Sequence, residues 1–105
     1  MSKGYPFPEP LAFQWDSGNI NKNRDKHGVG WEECEQMFFN RPVLVLEDAA
    51  HSLMEARFFA LGKSDSGRML FAVFTMRGGL VRVISARDMS RKERSYYEQA
   101  TEKDS

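Results

Sequence analysis

Apolar and polar residues follow two different periods along this chain, and the switch between them divides it into elements. Glu55 to Lys63, Arg68 to Arg77 and Leu80 to Arg87 read as strands, separated by Ser64-Asp65-Ser66-Gly67 and Gly78-Gly79, residues that make hairpin turns. Strands joined by turns this short form an antiparallel meander. Val43-Leu44-Val45-Leu46 is a compact strand ahead of them. Leu11 to Trp15 is a short first strand with Leu11, Phe13 and Trp15 on one face.

A helical period fills the space between. Asp16 or Ser17 caps a helix running to about His27, where Gly28 supplies the left-handed stop. Gly30 to Asn40 is a second helix, with Trp31, Cys34 and Phe38 at i, i+3 and i+7, and Arg41-Pro42 ends it. Glu47 to Ser52 is a loop. Ser90-x-x-Glu93 is a capping box that opens a last helix, fraying near Thr101. The order β-α-α-β-β-β-β-α predicts an α+β domain, an antiparallel meander with two N-terminal helices and a C-terminal helix, the helices on one face. That domain spans 11–101. Residues 1–10, with Pro6, Pro8 and Pro10, predict an extended, poorly ordered tail, and 102–105 a frayed end.

Composition narrows the class. A chain of 105 residues holds one modest core. No apolar run nears the length of a membrane span, and no signal peptide is visible, so the expected setting is cytoplasmic. The single cysteine, Cys34, allows neither an internal disulfide nor a thiolate metal site, and fits a reducing compartment. Asp48, His51 and Glu55 are too few and too spread to assign a metal, and no phosphate-loop, dinucleotide or hydrolase motif is present. No cofactor is implied.

The formal net charge is zero, yet the charge is segregated. Arg68 to Arg94 carries seven basic and two acidic residues, whereas Trp31 to Glu55 carries six acidic and one basic. This predicts a dipolar molecule whose basic half meets a polyanion, with RNA the leading candidate, because guanidinium forks match phosphate oxygens.

Several constellations could carry chemistry. Lys26-His27-Gly28 is either a base and phosphate ligand at a helix end or a plain helix stop. Glu55-x-Arg57 points two side chains the same way from one strand, as a phosphate site or as a cross-strand ion pair. Arg82 and Arg87 differ in parity, so a regular strand sends them to opposite faces unless a bulge intervenes or Arg87 lies past the strand end. Arg87 is the better placed for the mouth of a site. Of Tyr96 and Tyr97, one packs on the sheet and the other is free to stack on a base or hold a phosphate.

Taken together these residues resemble the BrnT family of ribonuclease toxins from type II toxin–antitoxin modules. The resemblance rests on Phe13-x-Trp15-Asp16, Asn23-x-x-Lys26-His27-Gly28-Val29, Glu47-Asp48 with His51-Ser52, and Glu55-x-Arg57. It continues through Thr75-x-Arg77-Gly78, Arg82-Val83-Ile84-Ser85-Ala86-Arg87 and Glu93-Arg94-x-x-Tyr97. Asn19 stands where the family usually carries a lysine. The resemblance implies a RelE-like fold, endoribonuclease activity and neutralisation by a BrnA-type ribbon-helix-helix antitoxin. It also implies that DNA is met only indirectly, through that antitoxin. On this footing Arg57, Arg82 and Arg87 are expected to contact phosphate, His27 or Glu55 to act as base, and Tyr97 or Lys26 to act as acid or positioning group in a metal-independent cleavage. The competing expectation is a module that keeps the fold and its partner without turnover. A small DNA-binding protein fits less well, since no DNA-binding motif is legible.

Overall fold

The computed structural model describes residues 11–51 and 55–102. The proline-spaced segment 1–10, Ser52 and residues 103–105 lie outside the described residues. In chain order the elements are α1 (Lys22–His27), α2 (Trp31–Phe39), β1 (Leu44–Glu47), a short 3₁₀ turn (Ala49–His51), β2 (Arg57–Lys63), β3 (Met69–Arg77), β4 (Leu80–Asp88) and α3 (Arg91–Glu102). The four strands form one antiparallel sheet in the order β1-β2-β3-β4, so the expected meander is present.

Both parities of the central strands are apolar, and this decides where the helices go. Leu70, Ala72 and Phe74 of β3 join Ala60, Val81, Val83 and Ala86 on one face, where Cys34, Met37 and Phe38 of α2 pack with Val29. Phe38 meets Phe74 edge-on at 5.1 Å between ring centroids. Met69 and Phe71, of opposite parity, join Leu44 and Leu61 around Tyr97 of α3 and Met89, which precedes that helix. The helices therefore do not share one face. The sheet has α2 on one side, α1 along β4, and α3 over one end of the other side. The continuous apolar run Met69-Leu70-Phe71-Ala72, split between the two clusters, is the signature of a strand covered twice. Gly62 lets α2 come close: a Cβ there would sit 2.7 Å from the Met37 carbonyl oxygen.

Two elements are shorter than their sequence suggests. Leu11 to Trp15 lies along the outer edge of β4 as a single parallel bridge, Phe13 to Val81, with Gln14 N–H donating to the Val81 carbonyl and Val81 N–H to that of Ala12. The helix expected from Asp16 starts only at Lys22. The reason is local competition. Asp16 Oδ1 accepts from Gly18 N–H, Asn19 Oδ1 accepts from Asp16 N–H, and the Asp16 carbonyl closes a turn onto Asn19 and Ile20.

Between Val73 and Phe74 the β3–β4 register shifts: Val73 faces Ser85 and Phe74 faces Val83, leaving Ile84 as the extra residue of a bulge. Two buried asparagines bracket it. Asn19 Nδ2 donates to the Val83 carbonyl (3.1 Å), and Asn23 Oδ1 accepts from Ala86 N–H (3.0 Å). The bulge restores a common face: Arg82 pairs with Thr75, Ser85 with Val73 and Arg87 with Phe71.

Candidate functional site

The end of the sheet that α3 does not cover carries a row of charge. Register places Arg57 of β2 beside Thr75 of β3, and Thr75 beside Arg82 of β4. Thr75 is buried, and its Oγ1 donates to the Ala56 carbonyl at 2.7 Å, which pins the start of β2. The backbone N–H of Asp48 donates to the Arg57 carbonyl (2.8 Å), holding the loop after β1 against the same place. Arg77, at the end of β3, extends the row and grips Glu55, just ahead of β2, with Nε 2.9 Å and Nη2 3.3 Å from the two carboxylate oxygens. Arg82 grips Asp16 through Nη1 (2.8 Å) and Nη2 (3.2 Å), and Nη1 also reaches Gln14 Oε1 (3.1 Å).

These five charged groups feel one another. The Arg77 hydrogen bond holds the Glu55 carboxyl below the usual carboxylate range, with Arg82 and Arg57 adding to it. The Arg82 hydrogen bond does the same for Asp16, helped by Gly18 N–H and by the more distant Arg77. The Arg77–Glu55 pair is open to water, its side chains 50% and 38% exposed, whereas in the other pair Asp16 is 53% exposed and Arg82 only 17%. An ion pair open to water is screened by solvent and holds together only weakly. An incoming phosphate can replace Glu55 on Arg77 at little cost, and can reach Arg82 from the side that Asp16 occupies.

The other residues predicted for the site lie elsewhere. Lys26 and His27 are exposed at the end of α1, where the Gly28 and His27 carbonyls accept from Arg68. Arg68 also binds Asp88, at the far end of β4, six residues and roughly 20 Å from Arg82. Arg87 makes a two-pronged pair with Glu93 (2.9 Å each) and lies over the Phe71 ring at 4.3 Å, so it fastens α3 to the sheet. Tyr97 is 1% exposed, and its hydroxyl donates to the Pro42 carbonyl at 2.6 Å. Of the predicted set, Glu55, Arg57 and Arg82 converge.

The dipolar picture also changes, because acids from the acidic half fold onto the basic half: Glu33 pairs with Arg68 and Glu55 with Arg77. Asp16 and Arg77 are the residues that sequence reasoning missed. Turn length hides Arg77: five residues separate Lys63 from its partner Met69, one more than the Ser64–Gly67 turn, and only from that pairing does counting outward bring Glu55 to Arg77. Asn19, in the position of the family's lysine, is buried and spent on backbone groups. Burial first, then Glu33 and Glu35, push the Cys34 thiol up to about 12, so it is inert. Among the described residues no group of three or more His, Cys, Asp or Glu is arranged to hold a metal ion.

Comparison with known proteins bears on what such a row does. No curated protein matches the chain. A solved structure, that of the ribonuclease toxin BrnT of Brucella abortus, shares the fold at 21% sequence identity and a TM-score of 0.56, covering 77% of this chain and 99% of the other. The family model for the BrnT ribonuclease toxin of type II toxin–antitoxin systems matches residues 15–93, from the Trp15 that follows the edge bridge to the Glu93 that caps α3. The chain belongs to the BrnT family of ribonuclease toxins.

Proposed function

We propose that the protein is a metal-independent endoribonuclease whose reaction centre is the Arg57–Thr75–Arg82 row with Arg77 and Glu55. The observation that carries this reading is the convergence of three guanidiniums and one carboxylate at the end of the sheet away from α3. RNA brings a phosphate that displaces Asp16 from Arg82 and Glu55 from Arg77. Glu55, released from its hydrogen bond, regains basicity and takes the proton of the ribose 2′-hydroxyl. The 2′-oxygen then attacks the neighbouring phosphorus, the bond to the 5′-oxygen breaks, and that oxygen takes a proton from solvent. The products are a 2′,3′-cyclic phosphate and a 5′-hydroxyl. The arginines stabilise the added charge of the phosphorane, and one preorganised donor in such a role is worth about 3 kcal/mol. A cognate antitoxin of the BrnA, ribbon-helix-helix kind would neutralise the enzyme and link the pair to DNA.

The test is cleavage of a labelled single-stranded RNA by the wild type, Arg82→Ala and Glu55→Gln, with folding checked by circular dichroism. Each variant is expected to lose about 10²–10³-fold in kcat, and EDTA to change nothing. Wild-type rates in both variants would sink the assignment. RNA binding by the wild type without any cleavage would favour the non-catalytic module.

A further inference from the structure

We infer that Phe59 is a nucleobase-stacking platform beside the arginine row, taking the base next to the cleaved phosphate of single-stranded RNA; this rests on the ribonuclease centre proposed above.

Phe59 lies two residues along β2 from Arg57, on the same face and one step, about 7 Å, toward α3. Its neighbours across the sheet are Leu46 on one side and Val73 on the other, and Val73 in turn faces Ser85. Among the described residues, this row is apolar yet belongs to neither core. The cluster under α2 takes Phe58 and Ala60, and the cluster under α3 takes Leu61, Phe71 and Leu44. Phe59 is half-buried, and Leu46 beside it is 41% exposed. An aromatic ring and a leucine left outside both cores, on an otherwise well-filled sheet, call for an occupant.

The adjacent groups say which occupant. Phe59 is tilted by 37° against Phe71 at 5.3 Å, and Phe71 is capped by the Arg87 guanidinium, which Glu93 holds in place. The ring of Phe59 is thus set from behind, with the phosphate-binding row one step away. Aromatic rings interleaved with arginines at this spacing suit a single strand, whose unstacked base lies on the ring while its phosphate meets the guanidiniums. A protein partner fits less well. One ring, one leucine and one valine offer far less than the roughly 800 Å² per partner of a stable protein interface.

The full chain is titrated by fluorescence anisotropy against a 2′-O-methyl oligoribonucleotide, which cannot be cleaved. The same titration is run on a set of oligomers made abasic at one position each. Wild type is expected to bind the intact oligomer about tenfold tighter than the abasic one at one position of the register. Phe59→Ala removes that difference, Phe59→Trp keeps it, and Arg82→Ala weakens both oligomers alike. Should Phe59→Ala fail to fold, Phe59→Leu takes its place: it keeps apolar bulk, loses the stack, and is expected to lose the difference. The proposal is overturned if the folded variants lacking the ring keep the difference, or if no abasic position weakens wild-type binding while Arg82→Ala does. Failure of the wild type to bind any of these oligomers overturns both this proposal and the ribonuclease centre on which it rests.

Discussion

What holds a side chain decides what it can do, and Tyr97 and Arg82 show this from opposite sides. Tyr97 has the chemistry of an acid, but its ring fills the core under α3, burial raises the pKa of its phenol, and its proton is committed to the Pro42 carbonyl. Its side chain packs with Met69, at the other end of β3 from Thr75 and roughly 20 Å along the strand from it. Tyr97→Phe should therefore leave the rate of RNA cleavage unchanged. It should lower stability by about 1 kcal/mol, the net worth of one hydrogen bond, or roughly 4–8 °C in melting temperature. A fall in kcat with unchanged melting would return Tyr97 to the chemistry. Arg82 is the reverse case. Its side chain, 17% exposed, is held by the exposed Asp16 carboxylate and the half-buried Gln14 amide, and the proposed site asks a phosphate to take the place of the first.

At the scale of elements, turn lengths carry most of the site and the β4 bulge carries the remainder. A two-residue turn at Gly78-Gly79 sets Arg77 against Leu80, and counting back puts Arg82 beside Thr75. Arg57 falls on the other side of Thr75 because Lys63 faces Met69; had Ser64–Gly67 been the whole turn, Lys63 would face Arg68 and Arg57 would face Phe74. The Arg57–Thr75 pairing thus lies one residue off the count from the Ser64–Gly67 turn, and only the Thr75–Arg82 pairing was legible from its turn. The bulge was not, because Ile84 looks like any apolar strand residue. What stabilises it comes from 64 and 63 residues away in sequence, through Asn19 and Asn23. The early stop of the Asp16 turn was hidden for a related reason: Asp16 and Asn19 bond each other's backbone instead of starting a helix. Asn23→Ala would leave the Ala86 N–H without its partner. The expected loss is about 1–3 kcal/mol, seen as a lower urea midpoint at unchanged slope. Slippage of β4 should also weaken RNA binding. Unchanged stability in that variant would mean that the bulge is intrinsic to β4.

For the whole molecule the consequence of interleaved charge is sensitivity to acid. Four carboxyls, those of Asp16, Glu55, Asp88 and Glu93, are held below their ordinary values, each chiefly by the hydrogen bond of one arginine. Unfolded, such groups titrate near 3.8 for aspartate and 4.5 for glutamate. Between those values and the lower ones of the fold, the unfolded chain binds more protons, so stability falls as pH falls. Above that window the contribution is complete and independent of pH. Melting temperature should therefore be insensitive to these groups from pH 7 down to about pH 5.5 and drop as pH passes below about 4.5. Asp88 and Glu93 matter most here, because they tie β4 to β3 and to α3 through Arg68 and Arg87. The double variant Asp88→Asn, Glu93→Gln is expected to melt lower at pH 7, by a few degrees for partly exposed pairs, and to decline less steeply in acid. The two curves should converge at the acid end, once the wild-type carboxyls are protonated in the folded state as well. Parallel curves would place the acid lability in other groups and leave these ion pairs as surface decoration.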